Sequence, residues 1–184
     1  PAAFLAALLN AWPMGFYHPA TLVKDAQHHG TRVLPVDATR SGWMCRWEEG
    51  AVRLGMRFVK GLHRDAGEAI ERAQAERPFT TIDDLARRGG VRTGDLELLA
   101  HAGALSAFGR TRRAAVWQVA KVSRRAGPLF EDVPTDDPSP LTEMSPIEET
   151  RADYVATEMT AGPHMLAHRR GGLRRRGVAS ASEL

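Results

Sequence analysis

The sequence predicts a mainly α-helical chain with a small β portion, and two observations support this fold class. Apolar residues recur at helical spacing in several segments, and each segment ends near a glycine or a proline. One short stretch instead has the two-residue period of a strand, because Val52, Leu54 and Met56 are separated by Arg53 and Gly55. With 184 residues, the chain is long enough for one good hydrophobic core or two small ones.

Residues 1–57 predict two helices, a short strand and a hairpin. The first helix cannot continue through Pro13, which lacks an amide hydrogen. The second begins at Pro19, a residue suited to a first helical turn, and ends at Gly30. Residues 33–36 follow as a strand, and residues 48–50 form the polar turn of the hairpin. We expect this hairpin to be a half-buried sheet edge.

Residues 58–126 predict four more helices, separated by glycines. A pair of residues similar to a capping box, Thr81 and Asp84, marks the start of the second of them. Residues 127–150 contain five prolines and many acids, which predicts an acidic linker. The four helices are expected at about Arg64 to Ala75, after Thr81, at about Gly94 to Ala102, and at Arg112 to Arg125.

Two segments resemble helix-hairpin-helix DNA-binding elements, in which a glycine turn leads directly into a helix whose amide groups meet a phosphate oxygen. In the first segment the pattern is carried by Gly61, Leu62, Gly67 and Ile70, and His63 replaces the usual second glycine. In the second, a leucine-rich helix leads into Gly103 and a basic helix. Either segment alone also fits an ordinary helical corner. The predicted DNA-binding residues are Lys60, Gly61, Leu62, His63, Arg64, Gly103, Ala104, Leu105, Arg110, Arg112, Arg113 and Lys121.

The distribution of charge is compatible with nucleic-acid binding. The formal net charge is only +3, but residues 110–126 hold six basic residues and no acid, whereas residues 131–153 hold eight acids and one base. Basic side chains on the last helix could neutralise phosphates, which makes DNA affinity depend on salt. Solvated helical faces and an acidic linker would give the same charge pattern. Trp117 on this helix is read as a packing residue rather than as a platform for stacked bases.

The sequence offers no catalytic or metal-binding constellation, so we expect no catalytic residue, metal or cofactor in this chain. It contains no Asp-x-Asp pair of the kind that holds two divalent metals. The pairs His28/His29 and His164/His168 lack companion ligands at metal-site spacing. Cys45, as the single cysteine, indicates a reducing cytoplasm, and the chain has no apolar run long enough to span a membrane.

Several stretches resemble one family, the C-family bacterial DNA polymerases of the polymerase III alpha type, and most closely its error-prone, damage-inducible branch. The resemblance covers essentially the whole chain and is carried by WPMGFYHPATLVKDAQ (12–27), VRLGMRFVKGL (52–62), PFTTIDDLARR (78–88), LELLAHAGALSAFG (96–109), SPIEETRADY (145–154) and TAGPHM (160–165).

The resemblance implies a domain order and partners for this chain. Residues 1–57 would end the polymerase fingers domain, 58–126 would form a tandem helix-hairpin-helix region, 127–150 a linker, and 151–184 the start of a truncated oligonucleotide-binding (OB) fold. The intact enzyme would use Mg²⁺ in its palm to extend primers across damaged template, and the chain would bind duplex DNA. Mutagenesis-cassette proteins and a sliding clamp are further implied partners, the clamp through Leu129 and Phe130 unless these are ordinary linker residues.

Two alternatives stay open from the sequence. One is a segment of a replicative polymerase III alpha subunit, which belongs to the same family. The other is a helix-hairpin-helix DNA-binding or scaffold module that works on its own. An adjoining reading frame with an Asp-x-Asp motif would separate the two polymerases from the independent module.

Overall fold

The computed structural model describes residues 1–13, 16–124 and 139–179, and these residues form eight α-helices, three short 3-10 helices and one three-stranded sheet. The predicted fold class, mainly α with a small β portion, is confirmed. The helices and strands are α1 (Ala2–Asn10), α2 (Pro19–His28), β1 (Arg32–Leu34), β2 (Arg46–Glu48), β3 (Ala51–Arg53), α3 (Arg64–Glu76), α4 (Ile82–Gly89), α5 (Thr93–His101), α6 (Arg112–Arg124), α7 (Pro146–Thr157) and α8 (Arg170–Arg175).

The limits of α2 follow from its terminal residues. Pro19 is its first residue, as predicted, and the ring Nδ1 of His18 accepts a hydrogen bond from the amide of Ala20 at 3.2 Å. This bond satisfies one of the amide groups that a helix start leaves without a partner. The helix ends at His28, and Gly30 then takes a φ of 80°, in the left-handed region that favours glycine.

The sheet places β3 between its two neighbours. β1 pairs with β3 in parallel and β2 pairs with β3 in antiparallel orientation, which gives the order β1-β3-β2. All three residues of β3 are buried. The expectation that the hairpin forms a half-buried edge is therefore wrong for β3, although β2 is an edge strand.

Arg53 is the reason why the alternating pattern does not correspond to a solvated face. Its side chain is only 7% exposed, because its Nε lies 2.5 Å from Glu48 Oε2 and its Nη1 donates a hydrogen bond to the carbonyl of Pro35 at 3.1 Å. A buried charge is tolerated when it is paired and hydrogen-bonded. The charged position in the pattern therefore belongs to the interior and not to a solvated face.

The Glu48–Arg53 pair gives a testable pH dependence. The hydrogen bond from Arg53 holds the pKa of Glu48 below its ordinary value, despite partial desolvation of the carboxyl, which raises it. A carboxyl group whose pKa is lower in the folded than in the unfolded chain stabilises the fold at every pH above its unfolded pKa. This stabilisation is lost as the pH falls through the folded pKa. We expect Glu48→Gln to lower the free energy of unfolding at pH 7 by about 1 to 2 kcal/mol. The difference from the parent should shrink in acid, as measured by urea unfolding between pH 7 and pH 3; a constant difference would contradict this account.

One hydrophobic core runs through the sheet and the helices. It begins in α1, passes through β3 and the 3-10 helix Met56–Phe58, and continues through α3 to α6 and the residues after α7. α5 and α6 make the most extensive contact between two helices. The largest fully buried side chains include Leu9, Val52, Met56, Ile70, Leu85, Leu99, Leu105, Val119 and Met159.

The start of α4 confirms Thr81 as a helix cap. Its Oγ1 accepts a hydrogen bond from the amide of Asp84 at 3.0 Å. The carboxylate of Asp84 does not complete a capping box, because it accepts from the amide of Thr80 and pairs with Arg88 at 3.2 Å. Half of the predicted arrangement is therefore present.

The described residues after 138 form α7, a 3-10 helix and α8, and they contain no strand. α7 begins at Pro146 and has a capping box formed by Ser145 and Glu148. Residues 146–150, which the sequence analysis assigned to the linker, are therefore helical. The start of an OB fold in residues 151–184 stays a prediction. No helix among the described residues is long and apolar enough to cross a membrane.

Candidate nucleic-acid interface

The first predicted hairpin, residues 59–63, lies between the 3-10 helix Met56–Phe58 and α3, and we call it hairpin 1. Gly61 has a φ of 79°, and Leu62 is buried and donates its amide to the carbonyl of Val59 at 3.1 Å. Gly67 in α3 is packed against Trp43 so closely that an added Cβ would lie 2.5 Å from the indole ring. Of the two glycines predicted for this motif, Gly61 therefore forms the turn, and Gly67 allows the close contact between α3 and Trp43.

The N-terminal ends of α3 and α5 meet at hairpin 1. The amide and the ring Nδ1 of His63 lie 3.3 and 2.8 Å from Oδ1 of Asp95, whose side chain is 2% exposed. Arg64 begins α3, and Arg92 immediately precedes α5; both are exposed. Two positive helix ends therefore lie in the same region, and an exposed arginine stands at the start of each helix.

Sequence reasoning missed the contribution of α5 to this region. It treated Gly90 only as a break between helices, whereas this glycine has a φ of 58° and leads through Arg92 into Thr93 and Gly94 at the start of α5. Gly94 is open to solvent, since an added Cβ would have no neighbour within 4 Å. A left-handed glycine followed by an arginine and a helix start is a signal that could have pointed to these residues.

The second predicted hairpin, residues 102–111, joins α5 to α6, and we call it hairpin 2. Gly103 and Gly109 have φ values of 73° and 71°. Ala104 and Leu105 are fully buried, and the carbonyl of Ala104 accepts a hydrogen bond from Ala38 at 2.8 Å. This bond fixes hairpin 2 to the loop that follows β1.

Two of the predicted amide donors in hairpin 2 are already used. The amide of Gly103 donates to Ala100 at 3.0 Å, and that of Ala104 donates to Leu99 at 2.9 Å. These groups shape the turn and leave no free hydrogen for a phosphate. The predicted contact of these two residues with a phosphate stays a prediction.

Arg112 and Arg113 contact α7 and the residues before it. The Arg112 side chain is 8% exposed, with Nε 3.1 Å from Glu149 Oε2 and Nη2 2.5 Å from Asp153 Oδ1. Arg113 pairs with Glu148 at 3.1 Å and donates to the carbonyl of Thr142 at 2.7 Å. The guanidinium of Arg112 is buried against α7 in the structure, and its predicted contact with a phosphate stays a prediction.

Comparisons with known proteins find the same motif in this chain. The family described as "Helix-hairpin-helix motif" matches residues 30–115. The chain is 44% identical over its whole length to an error-prone DNA polymerase of Alkalilimnicola ehrlichii and to one of Bordetella parapertussis, and 40% identical to one of Pseudomonas fluorescens. The chain belongs to the error-prone DNA polymerase family. It spans 18 to 19% of the length of these three polymerases.

Membership in the error-prone DNA polymerase family confirms the resemblance seen in the sequence. The helix-hairpin-helix match at residues 30–115 includes hairpin 1 and hairpin 2. It also includes the sheet and the connection between α4 and α5, so the matched region is larger than the two hairpins. The match ends within α6, after Arg112 and Arg113.

Three other predicted DNA-binding cations of this chain have different surroundings. Lys60 donates its amide to the carbonyl of Ala156 at 2.8 Å, and its exposed ammonium lies 3.2 Å from Glu158. Hydrogen bonds from Lys60 and then from His18 lower the pKa of the Glu158 carboxyl. The ammonium of Lys121 lies 5.5 Å from the centre of the Trp117 ring, and Arg110 is partly buried within hairpin 2. The predicted clamp-binding residues Leu129 and Phe130 lie outside the described residues.

The part of the chain that the structure describes has no group of three or more His, Cys, Asp or Glu side chains that could hold a metal ion. These residues therefore do not fit the Mg²⁺ that the family implies. His168 Nε2 lies 2.8 Å from Thr150 Oγ1. Burial raises the pKa of the Cys45 thiol to about 11, which makes it a poor nucleophile at neutral pH.

Proposed function

We propose that this chain is the non-catalytic, duplex-DNA-binding segment of an error-prone DNA polymerase. The observation that carries the proposal is the helix-hairpin-helix match over residues 30–115, which contains two turns built on the left-handed glycines Gly61 and Gly103. Each turn leads to the start of a helix, where positive dipole ends favour phosphate oxygens. Contacts of this kind position a protein on DNA without reading the base sequence.

Hairpin 1 supports the proposal with the larger set of accessible groups. His63, Arg64 and Arg92 are exposed around the adjoining starts of α3 and α5, and Lys60 is exposed beside them. Lys60 and Arg64 form ion pairs with Glu158 and Glu68. Exposed ion pairs of this type contribute only about 0 to 1 kcal/mol, so a phosphate can replace the carboxylate. Arg110 and Lys121 extend the proposed surface along hairpin 2 and α6.

In the intact enzyme, this segment would hold the primer-template duplex while the polymerase extends primers across damaged template, as part of translesion synthesis and DNA repair in the cytoplasm. Mg²⁺ would act in a catalytic palm outside the described residues. A sliding clamp, bound through Leu129 and Phe130, and mutagenesis-cassette proteins are proposed partners. An independent helix-hairpin-helix module is the second candidate, and a neighbouring Asp-x-Asp reading frame would decide against it.

The proposal predicts weak, sequence-independent binding of this chain to duplex DNA. The basic side chains of the chain displace counterions from the DNA phosphates, so the affinity should fall as the salt concentration rises. In a plot of log affinity against log salt concentration, the slope should have a magnitude of roughly 3 to 6. Fluorescence anisotropy with two labelled duplexes of unrelated sequence measures both properties. Arg92→Ala should lower the slope by about 1, for one lost phosphate contact.

Arg32→Ala is the matched control, because Arg32 is an exposed arginine on β1 and lies outside both hairpins. It removes the same charge and should leave the slope unchanged. Equal effects of the two substitutions would show that only net charge matters. A salt-independent affinity of the parent chain would overturn the proposed function.

A further inference from the structure

Arg112 touches hairpin 2 and α7 at the same time. Its guanidinium lies against the turn, since a Cβ added at Gly103 would be 2.8 Å from Arg112 Nη2. The same group forms ion pairs with Glu149 and Asp153, which lie one helical turn apart on α7. Arg112 therefore fills the space between the turn of hairpin 2 and a helix that lies about forty residues further along the chain.

The environment of Arg112 is built around its charge. The side chain is 8% exposed, and a guanidinium at this depth is stable only with carboxylate partners. Asp153 is itself held in place, because Thr160 Oγ1 donates a hydrogen bond to its second oxygen at 2.6 Å. A phosphate could reach this guanidinium only if α7 first moved away.

We propose that Arg112 is a positioning residue, which holds the Gly103 turn in its DNA-binding shape by linking it to Glu149 and Asp153 of α7. This inference rests on the proposed function, because the consequence of a displaced turn is weaker DNA binding. It also assigns a role to α7, whose acidic residues hold the turn of hairpin 2 in place through Arg112.

The chemistry of arginine makes the inference specific. A planar guanidinium can pair with two carboxylates through different nitrogens while its face packs on a glycine turn. A lysine ammonium carries the same charge but is a compact group that cannot make both contacts and cover the turn. Arg112→Lys therefore separates the positioning role from a direct phosphate contact, which depends mainly on charge.

Two substitutions test the proposal through their opposite expected signs. Arg112→Lys keeps the net charge, and Asp153→Asn removes a negative charge, so a direct phosphate contact predicts unchanged binding for the first and equal or tighter binding for the second. The positioning role predicts that each variant of the full chain binds a short fluorescein-labelled duplex at least about tenfold more weakly. The reason is that hairpin 2, one of the two linked DNA contacts of the chain, is displaced. Parent-like affinity of both folded variants would overturn the inference.

A DNA-free measurement accompanies the binding assay. The amide NMR signals and hydrogen exchange of Gly103 and Ala104 should change in both variants, whereas those of hairpin 1 should stay as in the parent. Glu148→Gln is the control, since it breaks the partly exposed pair with Arg113 on the same helix and should leave Gly103 unchanged. Unchanged Gly103 and Ala104 signals in folded Arg112→Lys would overturn the inference without reference to DNA.

Circular dichroism below the unfolding temperature ensures that the variants compared are folded. Should Asp153→Asn fail to fold, Glu149→Gln replaces it, because Glu149 is the more exposed partner of Arg112. Failure of the parent chain to bind any duplex would overturn the proposed function, and the Gly103 measurement would still decide the role of Arg112.

Discussion

Replacement of Leu99 by alanine is expected to lower the free energy of unfolding by about 2 to 5 kcal/mol, the range for a buried leucine that leaves a cavity. Leu99 is fully buried in α5, which makes the most extensive helix–helix contact of the structure with α6. The loss comes from transfer of apolar atoms to water and from packing contacts that the surroundings cannot restore. Urea unfolding followed by circular dichroism measures it.

Leu98→Ala is the matched control for Leu99→Ala. Leu98 is the next residue of α5 but is only partly buried, and its Cδ1 lies near Gly61, 3.5 Å from the place of an added Cβ. It should cost less stability than Leu99→Ala, because less apolar surface returns to water. Similar losses for the two variants would contradict the placement of Leu99 in the core. In conditions where both are folded, Leu99→Ala should retain the DNA affinity of the parent.

Gly55→Ala is expected to destabilise the chain by about 3 kcal/mol or more, at the upper end of the cost of overpacking. An added Cβ would lie 2.4 Å from the carbonyl oxygen of Trp43, 2.5 Å from the carbonyl carbon of Met44 and 2.7 Å from the amide nitrogen of Cys45. These neighbours are backbone atoms and cannot turn aside as a side chain would. Thermal unfolding of the variant measures the effect.

Gly94→Ala is the matched control for the substitution at Gly55. It adds the same methyl group at the start of α5, where an added Cβ has no neighbour within 4 Å. Alanine should therefore stabilise the helix by about 0.4 to 1 kcal/mol. A loss of stability in Gly94→Ala would contradict the open surroundings of Gly94. Tolerance of Gly55→Ala would contradict the close packing of Gly55 against the backbone of residues 43–45.

Local patterns predicted the helices well, because helix periodicity and end residues depend on neighbours within a few positions. The predicted start of α3 at Arg64, the cap at Thr81 and the start of α6 at Arg112 are confirmed. The glycine turns at Gly61 and Gly103, taken together with the family resemblance, added the helix-hairpin-helix assignment, which periodicity alone could not have provided. These successes share one property, since each depends on a short continuous stretch of sequence.

The sequence does not show where the partners of charged residues lie in the fold. Arg53 is buried rather than solvent-facing, and Arg112 has two carboxylate partners on α7, because a sequence pattern shows the charge but not the carboxylate that neutralises it. Glu48 lies five residues from Arg53, whereas Asp153 lies forty-one residues from Arg112. The position of Arg92 near the start of α3 could not be predicted for the same reason, because only tertiary packing brings the starts of α3 and α5 together.

The predicted division between residues 57 and 58 stays a prediction, but the core does not stop there. Met56 and Phe58 belong to the same 3-10 helix, and the buried cluster extends from Ala2 to Met159. The hydrogen bond from Ala38 to Ala104 also joins the loop after β1 to hairpin 2. Removal of residues 1–57 would therefore expose apolar surface beneath both hairpins.

The distance along the chain between Arg112 and its partner Asp153 has a consequence for biosynthesis. The ribosome makes Arg112 forty-one residues before Asp153, an interval of about 2 to 8 s at 5 to 20 residues per second. During this interval the guanidinium has no α7 to pair with, and the turn at Gly103 lacks its cover. On the role proposed for Arg112, hairpin 2 would reach its final shape after its own synthesis, once translation has delivered the carboxylates of α7.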